Sequence, residues 1–396
     1  MALPMAEGVS LDQLHDGVEV KGALATFEVR LLGVPVTLEA YRNVMVALGV
    51  GGYRDQTLGQ AGAVDYGDDH FTCFQFAYDW RRDNVENAKA LGRFVERKKR
   101  EINAELRRRY GEDRPNLKFD IVAHSMGGLL TRYYLRYGQA DLEAVDPSRP
   151  VPWTGAEHVE RVILVGPPNA GSVRALEQLV EGMRFGPFLP SYDAAIVGTF
   201  PSVYQLLPRA RHRAIRDVEN LRAQDVYDPE QWSRRGWGLA DGDPQRTLRW
   251  LLPTAGSDDQ RRRIARDHLR KCLDRARRFH AALDAPAETP ARLELHLIAG
   301  DADETAATLQ VDREGRLHVG ETLPGDGTVT RGSALLDERL SGQWTPRVRT
   351  PLDWSSVRFI FADHLGLTRD AAFTDNLLYL LLEAPRRDGP TRAHSP

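Results

Sequence analysis

The chain has only two cysteines in 396 residues, Cys73 and Cys272, so no disulfide framework can hold it together; the pair reads as two core thiols. Stability must then come from apolar burial, and a chain of this length can build a sizeable core in one large or two modest domains. Also missing is any uninterrupted apolar stretch long enough to span a bilayer. No global basic field exists either: 53 Lys and Arg against 56 Asp and Glu leave a net charge of -3. Without such a field there is no counterion release to draw in a nucleic acid, and no nucleic-acid partner is expected. Residues 1–8 show no basic segment followed by an apolar run. As written, the chain therefore carries no secretory signal and reads as cytoplasmic.

What is present is ordinary globular material, 42% hydrophobic and 28% charged. The densest arginine runs, 97–109 and 261–278, are interleaved with acids and apolar residues at helical spacing and read as solvated helix faces. Short apolar, β-branched runs at 72–77, 119–123, 159–165, 293–299 and 357–361 read as strands buried on both faces. Helical patterns at 41–48, 85–110, 129–137 and 373–382 lie between or after them. That alternation predicts an α/β protein, a mainly parallel sheet with helices on both faces. From about 173 to 289 the pattern changes to Arg- and Trp-bearing helices with Pro and Gly breaks and no strand signal. The expected organisation is an N-terminal part of the core (1–172), a helical cap or lid insertion (173–290), a C-terminal part of the core (291–384) and a flexible tail (385–396).

One turn carries chemistry. A strained strand-to-helix corner that presents a serine needs small residues two positions before and two after it. Ala123-His124-Ser125-Met126-Gly127 meets that need, with a strand pattern before and an amphipathic helix after. Serine needs a histidine base, and the histidine a carboxylate that fixes its tautomer. His364 follows the 357–361 strand in a loop ahead of the last helix, where this architecture places its base; His280 falls in the cap and His296 inside a strand. Two acid sites compete on spacing alone: Asp326, flanked by glycines, and Asp301 or Asp303 after the 293–299 strand.

These segments resemble a known family, the lecithin:cholesterol acyltransferase-like lipases and acyltransferases. The likeness runs in order through Phe76-Ala77-Tyr78-Asp79-Trp80-Arg81-Arg82, Ala123 to Gly128, Leu164 to Ser172, Phe200 to Pro208, Gly325-Asp326-Gly327-Thr328-Val329 and Asp363-His364. It implies an α/β-hydrolase fold with Ser125 as nucleophile, Asp326 as acid and His364 as base, acting through an acyl-enzyme. Met126 would give one backbone oxyanion donor. Tyr78, Asp79 and Trp80 would line the acyl site or touch a lipid head group; the alternative is an Asp-Arg pair and a packed Trp that fix a loop. The substrate implied is a lipid or other acyl ester, without cofactor or metal. Water or an alcohol would take the acyl group, making the chain a hydrolase or an O-acyltransferase, and no residue decides between them. The cap tryptophans Trp232, Trp237 and Trp250 are candidates for peripheral membrane-surface contact, though aromatics at such spacings are more often core. Neither the particular lipid nor the oligomeric state is legible.

The family's first core strand, with the Pro-Gly-rich loop that gives the second oxyanion donor, has no counterpart in residues 1–22. Residues 31–36, Leu-Leu-Gly-Val-Pro-Val, resemble instead the segment that follows it, with a lesser claim to the oxyanion role. Two other readings stand beside the lipid enzyme. One is a hydrolase-fold binding protein inactive for want of that donor, and the other a soluble esterase for small substrates. The preferred account of the gap is a natural product that starts further upstream. The coding sequence before Met1 should then contain an in-frame strand and glycine loop, and an immediate in-frame stop would defeat the idea.

Overall fold

The computed structural model describes residues 1–20, 26–31, 34–39, 42–56, 71–184, 191–240, 245–341 and 346–387. Strands β1 (Thr26–Leu31) and β2 (Val34–Glu39) form an antiparallel hairpin, followed by α1 (Arg42–Val50). Helix α2 (Asn84–Tyr110) is opened by the Asp83 carboxylate, which accepts the Val85 N–H, and closed by left-handed Gly111. Next come β3 (Phe119–His124), α3 (Met126–Tyr137), β4 (Val159–Val165) and, at the start of the segment 173–290 that the sequence pattern marks as a cap, α4 (Val173–Glu181). The cap also holds a short strand, β5 (Ile215–Asp217), and the long helix α5 (Asp258–Asp284). The chain then returns through β6 (Glu294–Gly300), β7 (Asp303–Ala306), β8 (Leu309–Val311), β9 (Thr322–Gly325), α6 (Arg331–Leu335), β10 (Ser356–Ile360) and α7 (Ala371–Leu378).

Four strands pair in parallel in the order β10-β6-β4-β3, as the double-sided apolar runs predict. Every residue of β6 is buried, and in β4 only Glu160 is not. Among the described residues β3 has a strand partner only in β4, so the sheet ends at β3. The expected strand at 72–77 reduces to one bridge between Cys73 and Asp55. Its aromatics serve packing instead: Phe76 stacks on Tyr78 and lies against Phe94 of α2, and the Lys98 ammonium sits over Phe74.

All twelve residues of α3 are buried, because α2, the sheet and α5 cover it from different sides. Tyr137 and Arg132 donate from α3 to the Ala282 and Leu283 carbonyls at the end of α5. The arginine runs expected to be solvated lie on α2 and α5, whose apolar residues recur every three or four positions on the opposite face. Cap residues form their own apolar cluster around Leu176, Phe200, Tyr204, Trp232, Trp237 and Leu273, which also takes up Leu3 and Met5 from the N-terminus. Trp232 and Trp237 are fully buried and donate to the Val226 and Gly315 carbonyls; Trp250 is 64% exposed. The cap contains a strand the sequence pattern did not reveal: β5 pairs in parallel with β8 from the returning core chain. Three residues are too few for a period-two signal.

Residues 385–387, expected to begin a flexible tail, are held. Arg386 pairs with Asp120 and Glu160, the Arg387 N–H donates to Glu294, and Pro385 accepts from Arg161. Residues 388–396 lie outside the described part. Among the described residues no helix is long and apolar enough to cross a membrane.

Arg161 on β4 and Glu294 on β6 form a buried ion pair at 2.5 Å, and Arg161 also donates to the Leu380 carbonyl beyond α7. Removing one partner strands the other charge without solvent. Arg161→Ala should therefore cost about 3–5 kcal/mol in a denaturant titration, and the double Arg161→Ala, Glu294→Ala variant should recover part of it.

Candidate active site

Parallel strands put their C-terminal ends on one edge of the sheet, and three loops leaving that edge hold the candidate residues. β3 ends at His124, and the chain turns into α3 through Ser125, whose backbone sits at φ 53, ψ -126. For a residue with a side chain this is a costly conformation, held here because both flanks are fixed. The Ser125 N–H donates to the Val165 carbonyl at the end of β4 at 2.8 Å, and the Ser125 carbonyl accepts the Gly128 N–H at 2.9 Å. The hydroxyl is thereby lifted above the sheet edge, at the mouth of a helix N-terminus.

His364 lies in the loop after β10. Its Nε2 is 2.8 Å from Ser125 Oγ and its Nδ1 is 2.7 Å from Asp326 Oδ2. A carboxylate only accepts, so Nδ1 carries the proton and Nε2 is left to accept from the serine hydroxyl. Asp326, buried in the turn after β9, also receives the Thr328 and Val329 N–H groups on Oδ1 at 3.0 and 2.7 Å. These bonds fix the carboxylate and aim its second oxygen at the imidazole. The backbone repeats the pairing, as the His364 N–H donates to the Asp326 carbonyl at 2.9 Å.

Ser125, His364 and Asp326, separated by as many as 239 positions, thus form one hydrogen-bonded line. The competing acids do not join it. Asp301 pairs with Arg331 at 3.1 Å, and Asp303 borders Gly327 from the adjoining strand. The two histidines that competed for the base are also engaged elsewhere. His280 bonds Tyr227 and the Gln205 carbonyl, and His296 bonds Ser356 and lies near Glu294. Met126, directly after Ser125, is the first residue of α3, and the N–H groups of a helix's first turn have no partner within the helix. The hairpin that contains Leu31 and Val34–Val36 is described only in its backbone, and residues 32–33 lie outside the described part.

Of the Tyr78-Asp79-Trp80 segment, Tyr78 comes nearest the serine turn, its hydroxyl 3.6 Å from where a Cβ on Gly127 would stand. Asp79 holds Arg81 through two hydrogen bonds at 2.9 and 2.6 Å, and Trp80 packs edge-on against Phe200 of the cap. Two site features carried no sequence signal. His124 reaches the carbonyl of His364 at 3.1 Å, which the common serine-turn pattern does not announce. Gly300, the last residue of β6, lets the Asp326 and His364 loops pass: a Cβ there would stand 2.4 Å from the Ala362 carbonyl oxygen and 2.6 Å from Asp326 Cβ.

The crowding at Gly300 predicts that Gly300→Ala pushes the two loops apart. Thermal denaturation should show a loss of roughly 1–3 kcal/mol, and the low-field proton resonance of the His364 Nδ1–H bond should broaden or vanish while far-UV circular dichroism stays unchanged.

Comparison with known proteins bears on the fold and the family. A structure titled "The crystal structure of Tle4-Tli4 complex" aligns with a TM-score of 0.51 at 18% identity, covering 80% of this chain and 72% of that one; at this identity the likeness speaks for the fold alone. No curated protein matches the chain significantly. The model of the family described as "Lecithin:cholesterol acyltransferase" matches residues 58–233, a span that contains Tyr78-Asp79-Trp80 and the Ser125 turn and ends in the cap. Over residues 58–233 this α/β chain is therefore similar to the lecithin:cholesterol acyltransferase family.

Proposed function

We propose that the protein is a serine-dependent lipid acyl-ester hydrolase or O-acyltransferase with Ser125, His364 and Asp326 as its catalytic triad. The observation that carries this reading is the continuous line of 2.8 and 2.7 Å contacts ending on a serine in a strained turn. In the first half-reaction Ser125 Oγ attacks the ester carbonyl carbon while its proton passes to His364 Nε2. Charge appears on the carbonyl oxygen as the carbon becomes tetrahedral, and the Met126 N–H at the helix N-terminus donates to it. Asp326 holds the imidazole and stabilises its cationic form. The intermediate collapses by breaking the ester C–O bond, and His364 returns its proton to the departing alcohol. Water or a second alcohol then gives a proton to His364 and attacks the acyl carbon; the C–Oγ bond to Ser125 breaks, Oγ takes that proton back from His364 Nε2, and the acid or new ester leaves.

Tyr78 would line the acyl site near Gly127. Asp79 and Trp80 would act from behind it, through the Arg81 pair and the cap contact. A lipid substrate resides in an aggregate, and the proposed mouth suits one. Phe361 and Leu365, on the loop that bears His364, are 82% and 55% exposed, and Trp250 gives the cap one apolar contact point. Burying Phe361 and Leu365 in a lipid surface would bring the ester to Ser125.

A fluorophosphonate should label folded wild-type protein on Ser125 and leave Ser125→Ala unlabelled. Absence of labelling in the wild type would favour the inactive-fold reading. Asp326→Asn should reduce kcat by about 10³–10⁴-fold, with the tautomer of His364 no longer enforced. Rates on phospholipid vesicles should exceed those on short-chain soluble esters, and Phe361→Ser should lower only the vesicle rate. The reverse preference would mark a soluble small-ester esterase.

A further inference from the structure

We propose that His124, the residue preceding Ser125, is a positioning residue whose Nε2–H clamps the backbone carbonyl of His364 and so keeps the base within reach of the nucleophile. The inference rests on reading Ser125, His364 and Asp326 as the triad. His364 Nε2 must stay about 3 Å from the serine oxygen, yet three of the residues around it in its loop, Phe361, Asp363 and Leu365, are exposed. Phe361 and Leu365 on either side of it face solvent, and the turn at its far end is closed by Asp363, which accepts the Leu365 and Gly366 N–H groups. The base is secured from one flank by the acid residue, whose carboxylate takes Nδ1–H and whose carbonyl takes the His364 N–H. The only remaining backbone group of His364 is its carbonyl, and His124 Nε2 lies 3.1 Å from it.

A carbonyl cannot donate, so His124 holds its proton on Nε2 and is the donor. Because His124 ends β3 and Ser125 follows it directly, the clamp ties the base loop to the nucleophile turn with no residue between the two. The two imidazoles lie 4.9 Å apart between centroids, tilted by 40°. A donor this close to a base that becomes cationic during turnover should itself be uncharged. Desolvation, reinforced by the charge of His364, pushes the pKa of His124 down to about 3, so it clamps as a neutral ring. The titratable groups that act on it are His364 and Asp326. A lysine or arginine could make the same hydrogen bond, but it would place a fixed positive charge against the imidazolium.

The test compares His124→Gln, whose amide N–H reaches about as far as Nε2, with His124→Met, which fills similar volume without a donor. Turnover is measured on a soluble ester, with the low-field His364 proton followed by NMR. Wild-type labelling of Ser125 checks the triad separately, so a failure there is told apart from a failure of the clamp. Loss of the clamp lets the base drift, and a displacement near 1 Å is enough to cost roughly 10–100-fold in rate. His124→Met should show such a fall in kcat with KM nearly unchanged and a broadened low-field resonance, and His124→Gln should restore most of both. Wild-type kcat in His124→Met, or equal loss in the two variants at equal thermal stability, would overturn the proposal. If His124→Met does not fold, His124→Gln decides alone: kcat close to wild type supports the clamp, and a loss beyond about 100-fold refutes it.

Discussion

The backbone of Ser125 is held where a side-chain-bearing residue does not willingly sit, and the site is arranged around that fact. Its N–H is taken by the carbonyl of Val165, its carbonyl by Gly128, and the helix it opens is buried along its whole length. A turn strained in this way persists only if the surrounding structure leaves it no alternative. The parallel pairing of β3 with β4 provides one wall and the burial of α3 the other. Relaxing the turn would require sliding a strand or lifting a buried helix, and either would expose far more apolar surface than the turn would recover.

The same sheet delivers the partners. Since its four paired strands run in parallel, Ser125, Gly300 and the loop after β10 come to one edge, and the chain that leaves β6 brings Asp326 back against Gly300 there. Asp326 crosses Gly300 closely enough that no side chain fits beneath it, and Gly166, with φ 53, faces Asp326 and His364 from the end of β4. The close passage converts two flexible loops into a fixed distance. The proposed triad is therefore a property of strand ends and tight crossings more than of the loops that carry its names.

Cap and core are joined by buried polar contacts as well as by apolar area. Asp83, at the start of α2, accepts from Val85 N–H, from the Gln205 amide at 3.2 Å and from Arg275 of α5 at 2.7 Å. A buried carboxylate with three partners locks one geometry, because any other leaves its charge unpaired. Trp80, from the segment resembling the family's Tyr-Asp-Trp-Arg, meets Phe200 of the cap. The N-terminal residues reinforce the seam: Arg81 donates to the Met1 carbonyl, and Lys271 of α5 donates to Ala6 and Val9.

Much of this was legible in the residue order. Apolar runs without alternation announced the strands, and β3, β4, β6 and β10 lie within a residue of where those runs stand, but only the central pair, β4 and β6, is buried nearly throughout; the outer β3 and β10 are mostly half-buried. The serine turn announced itself because strand, small residues and helix must be local. Short-range physics fails where pairing is distant. Residues 72–77 have strand composition, but their aromatics pack on α2, and the three-residue β5 exists only because β8 lies beside it. Aromatic spacing alone could not sort Trp232 and Trp237, enclosed in the cap, from exposed Trp250. The choice of Asp326 over Asp301 or Asp303 rested on resemblance until the fold brought one carboxylate to His364 and gave Arg331 to another. His124 shows the division most plainly. The sequence by itself determined that it precedes the serine; only the tertiary structure decided that its ring meets the carbonyl of His364, because a contact across 240 positions is set by sheet register and loop path, which no local pattern encodes.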